Sequence, residues 1–365
     1  MAPTITRNRV PIYGFFEITE ACNLRCRHCE ADAGRPDPAE LSTDEALDVA
    51  SQLAAAGCRQ VNLTGGEPLV RRDWERIARR FADLGVEVTL ATNGTLLDEG
   101  TLERLLAAGV RNVAVSVDGD RERHDAIRLS PGASGSPFDR AVKALSLLAA
   151  SPLRTAIVTV VHRGNVDALP AVHALAAELG AEIWQVQLAV PIGRFAPMRD
   201  THVLSATEIP DLERRLAALI AAGGVRVMVG DNIGYYGPHE VTLRSPPDGP
   251  QAFFTGCNAG LNVVGIRSNG DVKGCPSHPA SLAVGNLRDE TFAEIWDDPP
   301  RFAYNTAFRE IDLLGGCRAC AFRRVCRAGC TTMAYALTGS IYDNPLCRQR
   351  VERTMDGTAE EVSHA

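Results

Sequence analysis

The sequence predicts an α/β protein. A parallel sheet of six βα units, open along one side as a partial (β/α)6 barrel, is followed by a smaller cysteine-rich region. Short apolar runs alternate with amphipathic helical stretches from Tyr13 to about Val229, and helix-capping signals stand at the joints between them. Beyond Asp231 that alternation stops and Gly, Pro and Cys take over, which sets the expected division at residues 1–230 and 231–365.

Taken in order, the strands are expected at Tyr13–Ile18, Arg59–Thr64, Val86–Ala91, Asn112–Val117, Thr155–Val161 and Glu182–Leu188. Ser42-Thr43-Asp44-Glu45 and Ser205-Ala206-Thr207-Glu208 read as capping boxes. Ser136-Pro137 reads as an N-cap with proline at the first helical position, and Gly57, Gly85 and Gly109 stop their helices. Six units fall short of an eight-stranded closed barrel, so one side stays open. Ligands in parallel α/β folds sit at the C-terminal ends of the strands, and Cys22 to Cys29 follow the first strand directly.

Composition narrows the functions. The 365 residues carry a net charge of -7 and no Lys/Arg block, so the electrostatic footprint of a nucleic-acid binder is missing. No apolar run reaches the ~18 residues of a membrane span, and the first twenty residues lack the apolar core of a signal peptide. A cytoplasmic protein is expected. Its eleven cysteines, an odd number, argue for metal ligation rather than disulfides.

Cys22-Asn23-Leu24-Arg25-Cys26-Arg27-His28-Cys29 is a C-x3-C-x2-C run. Three thiolates can hold a 4Fe-4S cube and leave one iron free; a zinc knuckle short of a ligand is the alternative. Thr64-Gly65-Gly66-Glu67-Pro68 follows the second strand, where paired glycines permit close backbone approach. Together these motifs resemble the radical S-adenosylmethionine (radical SAM) superfamily, which has a TIM-like barrel. The resemblance implies that the free iron chelates the amino and carboxylate groups of SAM. It further implies that Gly65, Gly66 and Glu67 bind the methionyl ammonium, Ser116 and Asn93 the ribose, His28 the adenine and Arg128 the carboxylate. Ordinary structural roles compete at each position: a Gly-rich turn, turn chemistry at Asn93 and Asp118, an exposed helix-start histidine, a surface arginine. The loop Leu129–Gly135 is expected at the same rim, and Arg194 could face substrate. Cys58 reads as a small buried hydrophobe.

In the last third, Val263 to Cys275 has the signature of a hairpin about Asn269-Gly270, with Cys275 at its end. Cys257 precedes it. Cys317-x2-Cys320-x5-Cys326-x3-Cys330 and Cys347 follow. This order resembles the SPASM extension of radical SAM enzymes, including the glycine five residues before Cys275. The resemblance implies two auxiliary 4Fe-4S clusters, one on Cys317, Cys320, Cys326 and Cys347, the other on Cys257, Cys275 and Cys330, hence three in all. A zinc ribbon is the alternative for Cys317 to Cys330. Some members supply an eighth cysteine before the equivalent of Cys257, which is missing here, so that cluster should have an open iron or a non-cysteine ligand. Pro276 stands where sulfatase-maturing relatives carry a carboxylate, which argues against formylglycine formation. Asp231, Tyr235, Tyr236 and His239 lie in a segment that could line the cavity, and no catalytic base is assigned.

The expected function is oxidative cross-linking or dehydrogenation of a ribosomally synthesised peptide, with SAM and a flavodoxin- or ferredoxin-type reductant. No winged-helix leader-binding domain fits ahead of Cys22, so leader recognition is expected either from a separate leader-binding protein or from the barrel and SPASM surfaces. The competing readings are a radical SAM dehydrogenase of a sugar or amino alcohol, and a non-catalytic iron-sulfur carrier or zinc protein. Neither nucleic acid nor membrane is expected as a partner.

Overall fold

A computed structural model describes residues 9–131 and 135–355. Seven parallel strands form the barrel sheet: β1 Tyr13–Thr19, β2 Gln60–Gly65, β3 Glu87–Thr92, β4 Val110–Ser116, β5 Arg154–Val161, β6 Ile183–Leu188 and β7 Arg226–Val229. The seventh is the addition to the six expected. It has four residues, of which only Val229 is buried, too short and too exposed to announce itself by periodicity.

Three more strands, β8 Val263–Ile266, β9 Asp271–Lys273 and β10 Gly285–Asn286, extend the same sheet past β1, in the order β10-β9-β8-β1-β2-β3-β4-β5-β6-β7. The Asn269-Gly270 hairpin forms as expected, with Gly270 at φ +91°. Its first strand pairs parallel with β1, Tyr13 opposite Val263 through Phe16 opposite Ile266. The sheet therefore runs across residue 230 without interruption.

Alternation along each strand separates two faces. Phe16, Ile18, Val61, Leu63, Val88, Leu90, Val113, Val115, Ile157, Trp184 and Val186 face outward into the core. The helices Thr43–Ala55, Trp74–Asp83 and Pro137–Ala149 cover that face with Val49, Leu53, Ile77, Phe81, Leu145 and Leu148. The other face is half-buried and largely polar, carrying Glu17, Asn62, Thr64, Thr89, Asn112, Gln185 and Gln187. Several of these bond to one another, as in Asn112 Nδ2 to Thr89 Oγ1 at 3.1 Å.

The expected caps form. Ser42 and Glu45 make a reciprocal capping box, Ser205 and Glu208 another, and Ser136 Oγ accepts from the Asp139 amide. The cysteine-rich part has short helices and a thin core: Phe292, Ile295, Trp296 and Phe302 join the main core, while Tyr235, Phe254 and Cys326 form a small separate one. Among the described residues no helix is long and apolar enough to cross a membrane.

Candidate active site

The thiol run leaves β1 and is tied to its neighbours by backbone hydrogen bonds. Cys22 N–H donates to Gly34 O at 3.2 Å, Arg25 N–H to Leu129 O and Arg27 N–H to Ile127 O, both at 2.8 Å. Ile127 and Leu129 thus pin the loop; Gly132 to Ser134 of the expected rim loop lie outside the described residues. Arg194, expected at most to face substrate, instead holds the loop from the other side. Its amide donates to Cys29 O at 2.9 Å, its guanidinium to Cys26 O at 2.9 Å, and it pairs with Asp32 at 2.8 Å.

Why two glycines stand at 65 and 66 follows from the loop's neighbour. Gly66 N–H donates to Thr19 O at 2.7 Å and Glu67 N–H to Ala21 O at 2.8 Å. A Cβ on Gly65 would collide with the Thr19 carbonyl and one on Gly66 with the Ala21 carbonyl, so no other residue fits against the start of the thiol loop. Glu67 is buried. Its carboxyl accepts from Thr92 Oγ1 at 2.7 Å, the Asn93 amide at 2.8 Å and the Leu69 amide at 3.2 Å. Burial pushes it up to about 7 against those donors. Asn93 completes the tie, its Nδ2 donating to Asn23 Oδ1 at 2.9 Å.

Asp118, where the sequence leaves turn chemistry and a place at the barrel mouth equally open, is the hub. It ends β4 just beyond Ser116, fully buried. Its Oδ2 accepts from Arg128 Nε at 2.6 Å and pairs with His28 Nε2 at 3.1 Å, while Oδ1 accepts from the Val160 amide at 2.9 Å. Burial opposes its charge, but Arg128, His28 and His124 outweigh that and hold its carboxyl well below the ordinary range. Arg128 is accordingly buried, not a surface arginine, and its Nη1 lies 4.0 Å from Cys26 Sγ. His28 is buried too, with Nδ1 unpartnered among the described residues. Ser116, half-buried, closes β4 at the same rim.

The thiols fall into three neighbourhoods. Burial pushes Cys22 up to about 12 and raises Cys26, and each faces the others' negative charge together with Cys29. Cys275 is raised by burial and by Cys257, and Cys330 by burial and by both Cys257 and Cys275. Cys317, Cys320, Cys326 and Cys347 line one small cavity, with Cys317 pushed up to about 12 by burial. Crowded, desolvated thiols resist ionisation on their own; a bound metal centre reverses this by supplying positive charge. All three donor sets therefore fit an iron-sulfur cluster. Among the described residues, no three His, Cys, Asp or Glu groups converge closely enough to hold one metal ion, a convergence that a cube, with ligands on separate irons, does not require. Cys58 stands apart and buried, its Sγ 3.3 Å from Gln60 O.

Between the first two thiol sets lies a polar junction. Ser277, two residues after Cys275, donates to Glu30, the residue after Cys29, at 2.9 Å. Lys273 Nζ is 2.6 Å from Pro276 O and 3.4 Å from Glu17 Oε1. Burial raises the carboxyls of Glu17 and Glu30. The sequence offered one signal for this, a carboxylate directly after the third thiol. An opening of about 650 Å³, lined by Arg25, Asp32, Gly34, Arg35 and Pro131, reaches the thiol loop from outside. Tyr235 and Tyr236 belong to the other side: the Tyr235 hydroxyl accepts from Cys330 N–H at 2.9 Å, and the Tyr236 ring stacks on Phe322 at 4.2 Å.

Comparison with known proteins agrees with this arrangement. Residues 16–176 match the radical SAM superfamily, and residues 257–321 match the SPASM iron-sulfur cluster-binding domain. The AdoMet-dependent heme synthase of Methanosarcina barkeri is 33% identical over 362 residues, covering 92% of this chain and 95% of its own. The mycofactocin maturase of Mycolicibacterium smegmatis is 36% identical over 340 residues, covering 92% of this chain and 81% of its own. In fold, the chain resembles the crystal structure of Streptococcus suis SuiB bound to S-adenosylmethionine, with a TM-score of 0.69 at 17% identity over 92% of this chain and 76% of that one.

Proposed function

Since this chain belongs to the radical SAM superfamily and carries a SPASM domain, we propose that it oxidatively cross-links or dehydrogenates a ribosomally synthesised peptide. In this reading Cys22, Cys26 and Cys29 hold the SAM-binding 4Fe-4S cluster. Cys317, Cys320, Cys326 and Cys347 hold one auxiliary cluster, and Cys257, Cys275 and Cys330 the other. When bound, SAM and its cluster supply a 5'-deoxyadenosyl radical that can take a hydrogen atom from an unactivated carbon.

The chain's own residues do the rest. Arg194, Gly66 and Glu67 hold the thiol loop in one geometry. Asp118 orients His28, which would contact the adenine of bound SAM, and fixes Arg128 beside Cys26. The polar inner face of the barrel offers hydrogen-bonding partners to a peptide backbone. The observation that carries the reading is the Ser277–Glu30 hydrogen bond. It joins the Cys275 loop to the Cys29 loop, so in this reading substrate oxidised beside one thiol set lies next to a second set able to house an electron acceptor.

Full-length similarity to the mycofactocin maturase supports a peptide substrate; a separate leader-binding protein and a flavodoxin- or ferredoxin-type reductant complete the system. Full-length similarity to the heme synthase supports a second reading, a heme precursor as substrate. The test is anaerobic reconstitution, with about twelve irons per chain expected, followed by assay with peptides encoded beside its gene. A peptide mass lower by two hydrogens, with 5'-deoxyadenosine released, supports the first reading. Turnover of a heme precursor with every peptide unchanged replaces it by the second.

A further inference from the structure

Three thiols face the cluster expected on Cys257, Cys275 and Cys330, and a cube has four irons. Three residues past Cys275 stands a histidine with nothing to do. His278 is 2% exposed, yet neither of its ring nitrogens has a partner among the described residues. A buried imidazole so isolated forgoes the hydrogen bonds it would make in water, and such groups in native proteins mark an ion, a water or a ligand to be held.

Its surroundings say which. Cys275-Pro276-Ser277-His278 is a tight turn in which the His278 amide donates back to Cys275 O at 3.1 Å. The spacing, C-x2-H, equals that of Cys317-x2-Cys320, by which one turn delivers two ligands to one centre. The imidazole meets the Tyr304 ring edge-on, centroids 5.3 Å apart, and Tyr304 lies within electrostatic reach of Cys257 and Cys275. The Tyr304 hydroxyl lies against the Gly274 backbone, next to Cys275 in the chain. The other polar groups of the turn are engaged: Ser277 with Glu30, Pro276 O with Lys273.

We propose that His278 is the fourth protein ligand of the cluster on Cys257, Cys275 and Cys330. Imidazole is an established iron-sulfur ligand and raises the reduction potential relative to thiolate. This site would therefore accept an electron more readily than the all-cysteine set on Cys317, Cys320, Cys326 and Cys347. The inference rests on the cluster assignment made above.

The test uses full-length protein with Cys22, Cys26 and Cys29 all changed to Ala, so that only auxiliary clusters form. The protein is labelled with 15N-histidine, reconstituted with iron and sulfide and reduced. Pulsed EPR should show 15N coupling to a cluster, absent from His278→Ala. His278→Cys should keep about eight irons, lose the coupling and shift one midpoint potential downward. Eight irons with no nitrogen coupling, or coupling that survives His278→Ala, overturns the proposal, as would a water bridging His278 and Tyr304. An iron content unmoved by Cys275→Ala would sink the cluster assignment and the His278 ligand with it.

Discussion

The two thiol-bearing ends of this chain are built differently. Around Cys22 to Cys29 the scaffold is a parallel sheet with a large outer core, and the loop is held by backbone ties to Gly34, Ile127 and Leu129 and by the Asp118 network. Around Cys317 to Cys347 the scaffold is a set of short helices, such as Gly315–Arg318 and Arg323–Cys326. There the separate core comprises Tyr235, Phe254 and Cys326, and the ion pairs, among them Arg324–Glu310, are largely exposed and individually weak. The first site is organised by many contacts within the protein. The second rests on far fewer, so a metal centre bound there would supply folding free energy that a thin core does not.

Metal removal is the strongest way to break that contrast. After anaerobic chelation, hydrogen exchange should leave the amides of β1 to β6 protected while those from 315 to 346 lose protection by orders of magnitude. Equal loss in both regions would show that the barrel also needs its cluster to fold.

Next in size is Asp118→Ala. It strands the buried Arg128 guanidinium and frees His28, and breaking a buried ion pair from one side costs about 3–5 kcal/mol. Thermal denaturation should register a large fall in Tm, with Asp118→Asn intermediate. An unchanged Tm would mean that the network orients side chains without supporting the barrel.

Gly66→Ala forces a methyl group against the Ala21 carbonyl, an overpacking worth about 1–3 kcal/mol. Circular dichroism should stay barrel-like while 5'-deoxyadenosine release falls steeply, because the displaced partner is the thiol loop itself. Alanine at Gly85, where nothing lies within 4 Å of an added Cβ, is the control for backbone strain alone.

The smallest effect lies at the seam between the regions. Glu213, on the helix Ile209–Ala222, faces Arg348 at 3.4 Å from the C-terminal side. Burial pushes its carboxyl up to about 7. A carboxyl whose folded value is raised binds its proton more tightly in the folded state. Its contribution to stability is therefore full below the ordinary value near 4.5 and declines as pH rises towards 7. Tm measured from pH 5 to 8 should drop across that window, and Glu213→Gln should flatten the slope.

Much of the site was legible in the chain because its signals are local. The C-x3-C-x2-C spacing, the Gly65-Gly66-Glu67 turn, the hairpin ending at Cys275 and the capping boxes at Ser42 and Ser205 each depend on residues within a few positions of one another. Arg194 and Asp118 were not legible. Arg194 acts on carbonyls more than 160 positions earlier in the chain, and the Asp-Gly pair at Asp118 looks the same in sequence whether it turns a loop or anchors a buried arginine and a buried histidine.

What the sequence alone determined is the alternation of strand and helix, the identity of the metal-binding thiols as candidates, and the family they resemble, because periodicity and spacing are written into neighbouring residues. Only the tertiary structure decided that β8 lies against β1, that Ser277 reaches Glu30 and that His278 is buried without a partner among the described residues. Those facts are set by which distant backbone edges meet and what water they exclude, and neither pairing nor exclusion exists until the sheet has formed.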